Sequence, residues 1–165
     1  MFAVLELSRA KGDQYCFIFE DDATLSVPFA VLQQCINELD TAQPDWEISL
    51  FSVSQCYNSS DYTILGSGTE LIHIVDIFNG TYAMAVSYKA YDKLINSMNG
   101  ATLYDDVDID IYSIQCKDHI YLALPFMCLV LSDQSDIRKY DTTGDLEQIK
   151  LCQARLLMNT SSMFS

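Results

Sequence analysis

The sequence predicts one α/β domain in which a mostly parallel sheet is flanked by helices. Short apolar runs rich in aromatic and β-branched residues alternate with stretches of helical periodicity, as in strand–helix–strand units. The chain has 165 residues and 50% of them are apolar, which is enough for a buried core. Residues 15–19, Tyr-Cys-Phe-Ile-Phe, form an apolar run that is typical of a strand buried on both faces.

The first half of the chain predicts a strand–helix–strand unit behind a leading helix. The predicted elements are a helix at 2–10, a strand at 15–20, a helix at 28–39 and a strand at 46–51. Gly12 ends the first helix, and Pro28 suits the first turn of the second. The order strand, helix, strand predicts a right-handed parallel unit. The polar residues 54–70 predict an irregular excursion from the sheet.

The second half predicts further strands and three helices. The predicted elements are a strand-like run at 71–78, a strand at 81–86, a helix after Ser87 that ends at Asn99–Gly100, a helix at about 106–116, strands at 119–124 and 126–131, and a helix at 145–158. The helix at 106–116 is preferred to a strand because aspartates favour first turns. His73 is expected to be a hydrogen-bonded sheet residue. We expect a main domain over 1–137 and a C-terminal helix and tail over 138–165.

Composition limits the classes of partner. The net charge is -14, and only 9 Lys and Arg are available to neutralise phosphates, so a nucleic acid is not expected to bind. The six cysteines match no zinc spacing and are expected to be reduced. No signal peptide or membrane span is visible, which leaves the compartment open with the cytoplasm as the default. The sequence carries no signal for an oligomeric state.

Three consecutive carboxylates, Glu20, Asp21 and Asp22, follow the first predicted strand directly. In open α/β sheets, ligands bind outside the carboxyl ends of the strands. Acids crowded at that edge repel one another, and a divalent cation with oxygen ligands would relieve the repulsion. The alternative is an exposed turn in which Asp21 or Asp22 caps the next helix.

A phosphatase of the haloacid-dehalogenase type is a second interpretation of the same residues. That family's first motif is an apolar strand followed by D-x-D-x-[TV]-L, which residues 20–25 resemble in frame. The nucleophile position then holds Glu20 in place of aspartate, and a displacement of one methylene is costly in catalysis. Asp105 and Asp106 could stand for the later acidic motif, but no suitably placed lysine precedes them.

Several segments in order resemble glycosyltransferase family 25, which includes lipooligosaccharide and collagen galactosyltransferases. Residues 17–23, Phe-Ile-Phe-Glu-Asp-Asp-Ala, are similar to the family's hydrophobic-EDD motif, and residues 45–50 resemble its next strand. Residues 79–87 resemble its Gly-Thr-x-Ala-Tyr-x-x-Ser segment. Val107–Asp108 and residues 125–137 match later parts. The resemblance covers residues 1–137, without the strand–helix–strand region that the family carries before this part.

The resemblance implies a GT-A-like, Rossmann-like fold and transfer of a sugar, with galactose as the leading guess, from a nucleotide-diphosphate sugar to a glycan or protein hydroxyl. Asp21 and Asp22 would hold Mn²⁺ or another divalent cation, with Glu20 shaping the site. Gly80 and Thr81 would line the sugar or acceptor pocket, and Asp108 would be the general base. The alternative is an inactive or incomplete glycosyltransferase remnant that acts as a binding module.

Overall fold

A computed structural model describes residues 2–56, 59–74, 78–80, 82–100, 116, 118–130 and 143–163. Within these ranges the chain forms four helices and ten strands. The helices are α1 (Phe2–Lys11), α2 (Phe29–Ala42), α3 (Tyr88–Gly100) and α4 (Thr143–Met163). The strands are β1 (Tyr15–Phe19), β2 (Ala23–Leu25), β3 (Ile48–Ser52), β4 (Gln55–Cys56), β5 (Ser59–Ile64), β6 (Glu70–Ile74), β7 (Phe78–Asn79), β8 (Ala83–Ser87), β9 (Ile120–Leu124) and β10 (Cys128–Val130).

Six strands form the central sheet in the order β1-β8-β3-β9-β6-β5. Of its five neighbouring pairs, only β3–β9 is parallel, and the other four are antiparallel. The prediction of a mixed sheet flanked by helices is confirmed, but the prediction that it is mostly parallel is wrong. Two short antiparallel pairs, β2–β10 and β4–β7, lie outside this sheet.

The predicted parallel unit of β1, α2 and β3 is only partly correct. Both strands pair antiparallel with β8, so they run in the same direction, but β8 lies between them. All five residues of β8 are buried. A strand buried on both faces has an uninterrupted apolar sequence in either direction, so its sequence does not specify its orientation.

Helices cover both faces of the sheet. On one face, Met84 and Val86 of β8 pack with α1, α3 and α4, which contribute Leu5, Leu94 and Ile149 among others. On the other face, Ala83 and Ala85 pack with α2, whose buried residues are Leu32, Cys35, Ile36 and Leu39. Successive side chains of a strand point to opposite faces, and burial of each large apolar side chain stabilises the fold by about 1.5–3 kcal/mol.

Helices were predicted well, and one segment was predicted wrongly. Gly12 follows α1 at a φ of 72°, and Pro28 directly precedes α2. The predicted irregular segment 54–70 contains β4 and β5, and β5 forms a hairpin with β6. β5 is the last strand of the sheet, so it does not need apolar residues on both of its faces. Its polar sequence therefore did not indicate a strand.

Two further predictions concern helices in the second half of the chain. The predicted helix at about 106–116 lies outside the described residues except for Cys116. The C-terminal helix is longer than the predicted 145–158, since α4 spans Thr143–Met163. In the described part of the chain, no helix combines the length and the apolar character that crossing a membrane requires.

Candidate functional site at the carboxyl ends of the strands

The acidic residues form a tight turn where β1 ends. The Glu20 N–H donates to the Tyr82 carbonyl at 2.9 Å, and the Ala23 N–H donates to the Glu20 carbonyl at 3.1 Å. These bonds place Asp21 and Asp22 at the two central positions of the turn. Asp21 is exposed and Asp22 is half-buried. The turn therefore places the Asp21 carboxylate at the surface beside the sheet, with Asp22 next to it and the Oδ1 atom of Asp22 buried.

Four strands meet at this edge because of their directions. The carboxyl ends of β1, β3 and β9 lie here with the amino end of β8. The β2–β10 pair covers the end of β3, since the Met127 N–H donates to the Phe51 carbonyl at 2.9 Å and the Ser26 N–H donates to the Met127 carbonyl at 3.0 Å. The acidic turn is thus anchored on both sides, to β8 at Glu20 and to β10 through β2.

Gly80 occupies a position at this edge that only glycine fits. Its φ is 89°, in the left-handed region. A Cβ atom at Gly80 would lie 2.5 Å from Cε2 of the buried Tyr82 and 3.1 Å from the Ser54 nitrogen. The absent side chain lets the loop before β8 approach the end of β3. Gly80 is therefore packed directly against Tyr82, whose carbonyl accepts the hydrogen bond from the Glu20 N–H.

The negative charge of the acidic turn affects the pKa of a neighbouring thiol, that of Cys128. The pKa of Cys128 is raised to about 11, first by burial and then by the negative charges of Asp22 and Glu20. A backbone hydrogen bond from Thr24 opposes this increase. Asp22 and Glu20 thus lie close enough to Cys128 to disfavour its thiolate, and negative charges placed together in this way attract cations.

Of the predicted site residues, Glu20, Asp21 and Asp22 share one turn, and Gly80 is connected to this turn through Tyr82. Thr81 and Asp108 lie outside the described residues. No group of three or more His, Cys, Asp or Glu side chains within the described ranges could hold a metal ion. Two adjacent carboxylates suit an ion that takes its remaining ligands from substrate phosphates and water, as Mg²⁺ commonly does.

His73 has a structural environment. Its Nε2 lies 2.9 Å from the Asp118 carbonyl, and its ring stacks on Tyr121 with centroids 5.2 Å apart. It lies on β6, which is separated from β8 by the two strands β3 and β9. These contacts agree with the prediction of a hydrogen-bonded sheet histidine.

Ser54 and Tyr82 are site residues that the sequence did not reveal. Ser54 was assigned to an irregular segment, and Tyr82 was read as part of a strand. Both are buried and both flank the missing Cβ of Gly80. The only signal in the sequence was the turn pair Asn79–Gly80, which marks a close backbone approach without naming the residues approached.

Comparison with known proteins gives no assignment, because no family model and no curated protein matches this chain significantly.

Proposed function

We propose that the chain is a family 25-like glycosyltransferase domain with a GT-A-like fold, which moves a sugar from a nucleotide-diphosphate sugar to a glycan or protein hydroxyl. The observation that carries the proposal is that Tyr82 connects the Glu20–Asp22 turn to Gly80 at one sheet edge. Both segments belong to the motifs on which the resemblance rests. Asp22 and Gly80 are 58 residues apart in the sequence, yet Tyr82 connects the two segments in the fold.

The acidic turn supports a role at the diphosphate. Asp21 and Asp22 are the residues that would hold Mn²⁺ or another divalent cation. A bound cation would neutralise the charge that develops on a nucleoside diphosphate leaving group. The Tyr82 carbonyl accepts the Glu20 N–H and so holds the backbone of the turn that carries the two carboxylates. The missing side chain of Gly80 makes room for the ring of Tyr82, which lets the residue that bonds to Glu20 pack at this edge.

The transfer itself requires a proton acceptor. In an inverting transfer, the acceptor hydroxyl loses its proton to a carboxylate while its oxygen bonds to the anomeric carbon. The bond from that carbon to the diphosphate breaks, and the nucleoside diphosphate leaves with the electron pair. Asp108 is the residue proposed for this base, on the resemblance alone.

Calorimetric titration tests the proposal. The intact chain is titrated with a panel of nucleotide-diphosphate sugars that includes UDP-galactose, with and without Mn²⁺. We expect binding that depends on Mn²⁺ and is weakened at least about 100-fold by Asp22→Asn, because one ligand of the cation loses its charge. Asp13→Asn removes the same charge before β1, at the other end of the strand, and should leave binding unchanged.

The opposite result is also informative. If the wild-type chain binds no nucleotide sugar in the presence of Mn²⁺, it is not an active transferase in isolation. The binding-module alternative would then be preferred. If Asp13→Asn weakens binding as much as Asp22→Asn does, the effect reflects net charge rather than a site in the turn.

A further inference from the structure

A cavity of about 260 Å³ lies between the segment after β3 and helix α4. Its polar lining comes from Ser54, Gln55, Gln148 and Arg155, and its apolar lining includes Leu151 and Leu156. The volume is close to the lower end of small-molecule pockets, which run from about 300 to 1,000 Å³. It suits one sugar ring or a group of similar size and is too small for a whole nucleotide sugar.

A series of contacts joins this cavity to the acidic turn. Ser54 lines the cavity, and its nitrogen lies 3.1 Å from the position of a Cβ on Gly80. Gly80 abuts the ring of Tyr82, whose carbonyl accepts the hydrogen bond from Glu20. Gly80 and Tyr82 therefore connect the lining of the cavity to the backbone of the acidic turn.

The charge of the lining is opposite to that of the chain. The chain carries 23 acidic residues and 9 Lys and Arg, yet Arg155 is the single charged residue of the lining and no carboxylate belongs to it. The ion pairs found among the described residues are Arg9–Asp92, Lys89–Asp45 and Lys93–Glu47, so none of them uses Arg155. The positively charged side chain of Arg155 in the lining favours the binding of an anionic ligand.

We propose that this cavity binds a single sugar residue bearing a carboxylate, as the acceptor side of the transfer. Arg155 would pair with the carboxylate, for which its planar guanidinium offers parallel N–H donors. The side-chain amides of Gln55 and Gln148 both donate and accept, which matches sugar hydroxyls. Leu151 and Leu156 would contact the apolar face of the ring. The acceptor role rests on the proposed glycosyl transfer, whereas the binding does not.

The test measures binding without metal or nucleotide. Methyl glucuronide and methyl glucoside, which differ in the carboxylate, are titrated into the intact chain by NMR. The glucuronide should bind at least about tenfold more tightly, the difference expected from one charge-assisted hydrogen bond. Arg155→Gln should abolish this preference. Lys150→Gln removes the same charge from an exposed position of α4 outside the lining and should keep the preference.

A second pair of variants tests the position of the ligand independently of Arg155. Leu151→Glu places a negative charge in the lining, and Met158→Glu places one outside it on the same helix. Both side chains are exposed, at 69% and 72%, so both variants should fold. Leu151→Glu should weaken glucuronide binding at least about fivefold, and Met158→Glu should not.

Three results would overturn the proposal: equal binding of the two glycosides, equal losses in Arg155→Gln and Lys150→Gln, or a requirement for Mn²⁺. The outcomes also separate the two proposals. A chain that binds a nucleotide sugar with Mn²⁺ but shows no glucuronide preference refutes the cavity assignment alone. A chain that binds glucuronide through Arg155 but no nucleotide sugar refutes the transferase and keeps the cavity as a carbohydrate site.

Discussion

Acidic residues lie at both ends of the central strands, but their surroundings differ. At the amino end of β3, Glu47 is buried and its Oε1 lies 2.5 Å from Nζ of Lys93. At the carboxyl end of β1, Asp21 is exposed and Asp22 is half-buried in a tight turn. The first arrangement encloses a charge within the fold together with its counterion. The second exposes the Asp21 carboxylate to solvent, where a ligand can reach it.

The backbone explains why Glu47 is fixed in the interior. The N–H groups of Glu47 and Ile48 both donate to the His119 carbonyl, and the Ser87 N–H donates to the Glu47 carbonyl. Glu47 therefore joins the ends of β3, β8 and β9. Its charge contributes, after burial, to raising the pKa of Cys116. The comparison teaches that burial and a built-in counterion distinguish a structural acid from a candidate ligand-binding acid.

The largest expected effect on stability is at the amino end. Lys93→Met removes the counterion of Glu47, whose Oε2 is already buried without a hydrogen-bond partner among the described residues. Breaking a buried ion pair costs about 3–5 kcal/mol. We expect about 3 kcal/mol here, because the Lys93 side chain is 36% exposed. Urea unfolding measures the loss, and Glu47→Gln in the same chain should recover part of it.

The exposed pair next to it is the control. Lys89 lies 3.4 Å from Asp45, whose side chain is 83% exposed, and it also donates to the Pro44 carbonyl. Lys89→Met should cost at most about 1 kcal/mol, as for other surface pairs. Equal losses in Lys93→Met and Lys89→Met would contradict the structural role given to Glu47.

A smaller effect is expected at the carboxyl end. Gly80→Ala adds a Cβ that collides with Tyr82 and also strains a backbone at a φ of 89°. We expect a loss of about 2 kcal/mol in the free energy of unfolding. Gly68→Ala is the matched control, because its φ is 84° and a Cβ there meets nothing within 4 Å. It should cost only about 1 kcal/mol.

Gly80→Ala should also affect ligand binding at the acidic turn. Displacement of Tyr82 should disturb the Glu20 backbone, so Gly80→Ala should also weaken binding of a Mn²⁺–nucleotide complex at a temperature where the variant is folded. Gly68→Ala should bind normally. Unaltered binding in folded Gly80→Ala would show that Tyr82 does not support the acidic turn.

The last expected effect is a pH dependence caused by Cys128, which is confined to alkaline solution. Its folded pKa of about 11 exceeds its ordinary value of 9.0, so the folded chain keeps a proton that the unfolded chain loses in this range. The resulting stabilisation is present below pH 9 and is lost as the pH rises towards 11. Urea unfolding between pH 8 and 11 should show a shallower decline for Cys128→Ala than for the wild type. Parallel curves would contradict this assignment.

Much of the site was accessible from the sequence because its elements are local. The run of residues 15–19 indicated a buried strand, and the next three acids could only follow it at its carboxyl end. Gly12 and Pro28 marked helix boundaries through their restricted or permissive backbone angles. Such features depend on neighbours in the sequence, and the structure confirms the strand and the two helix boundaries. The prediction that this strand is buried on both faces is wrong, because β1 lies at the edge of the sheet and Ile18 is its only buried residue.

Long-range partners could not be predicted in this way. The insertion of β8 between β1 and β3 depends on packing of Ala83 and Ala85 against α2, which no local pattern encodes. The polar sequence of β5 hid a strand that needs no second apolar face. Arg155 reaches the cavity only because α4 packs beside β4, a contact across about 100 residues of sequence.

Water-proton relaxation of Mn²⁺ solutions tests the central claim most directly, since bound Mn²⁺ relaxes water faster than the free ion. The intact chain is compared with the Asp21→Asn/Asp22→Asn double variant, with and without a nucleoside diphosphate, and with Asp13→Asn as the charge control. We predict an enhancement for the wild type and Asp13→Asn that increases with the nucleotide and is absent from the double variant. An equal enhancement in the double variant would contradict a metal site in the acidic turn.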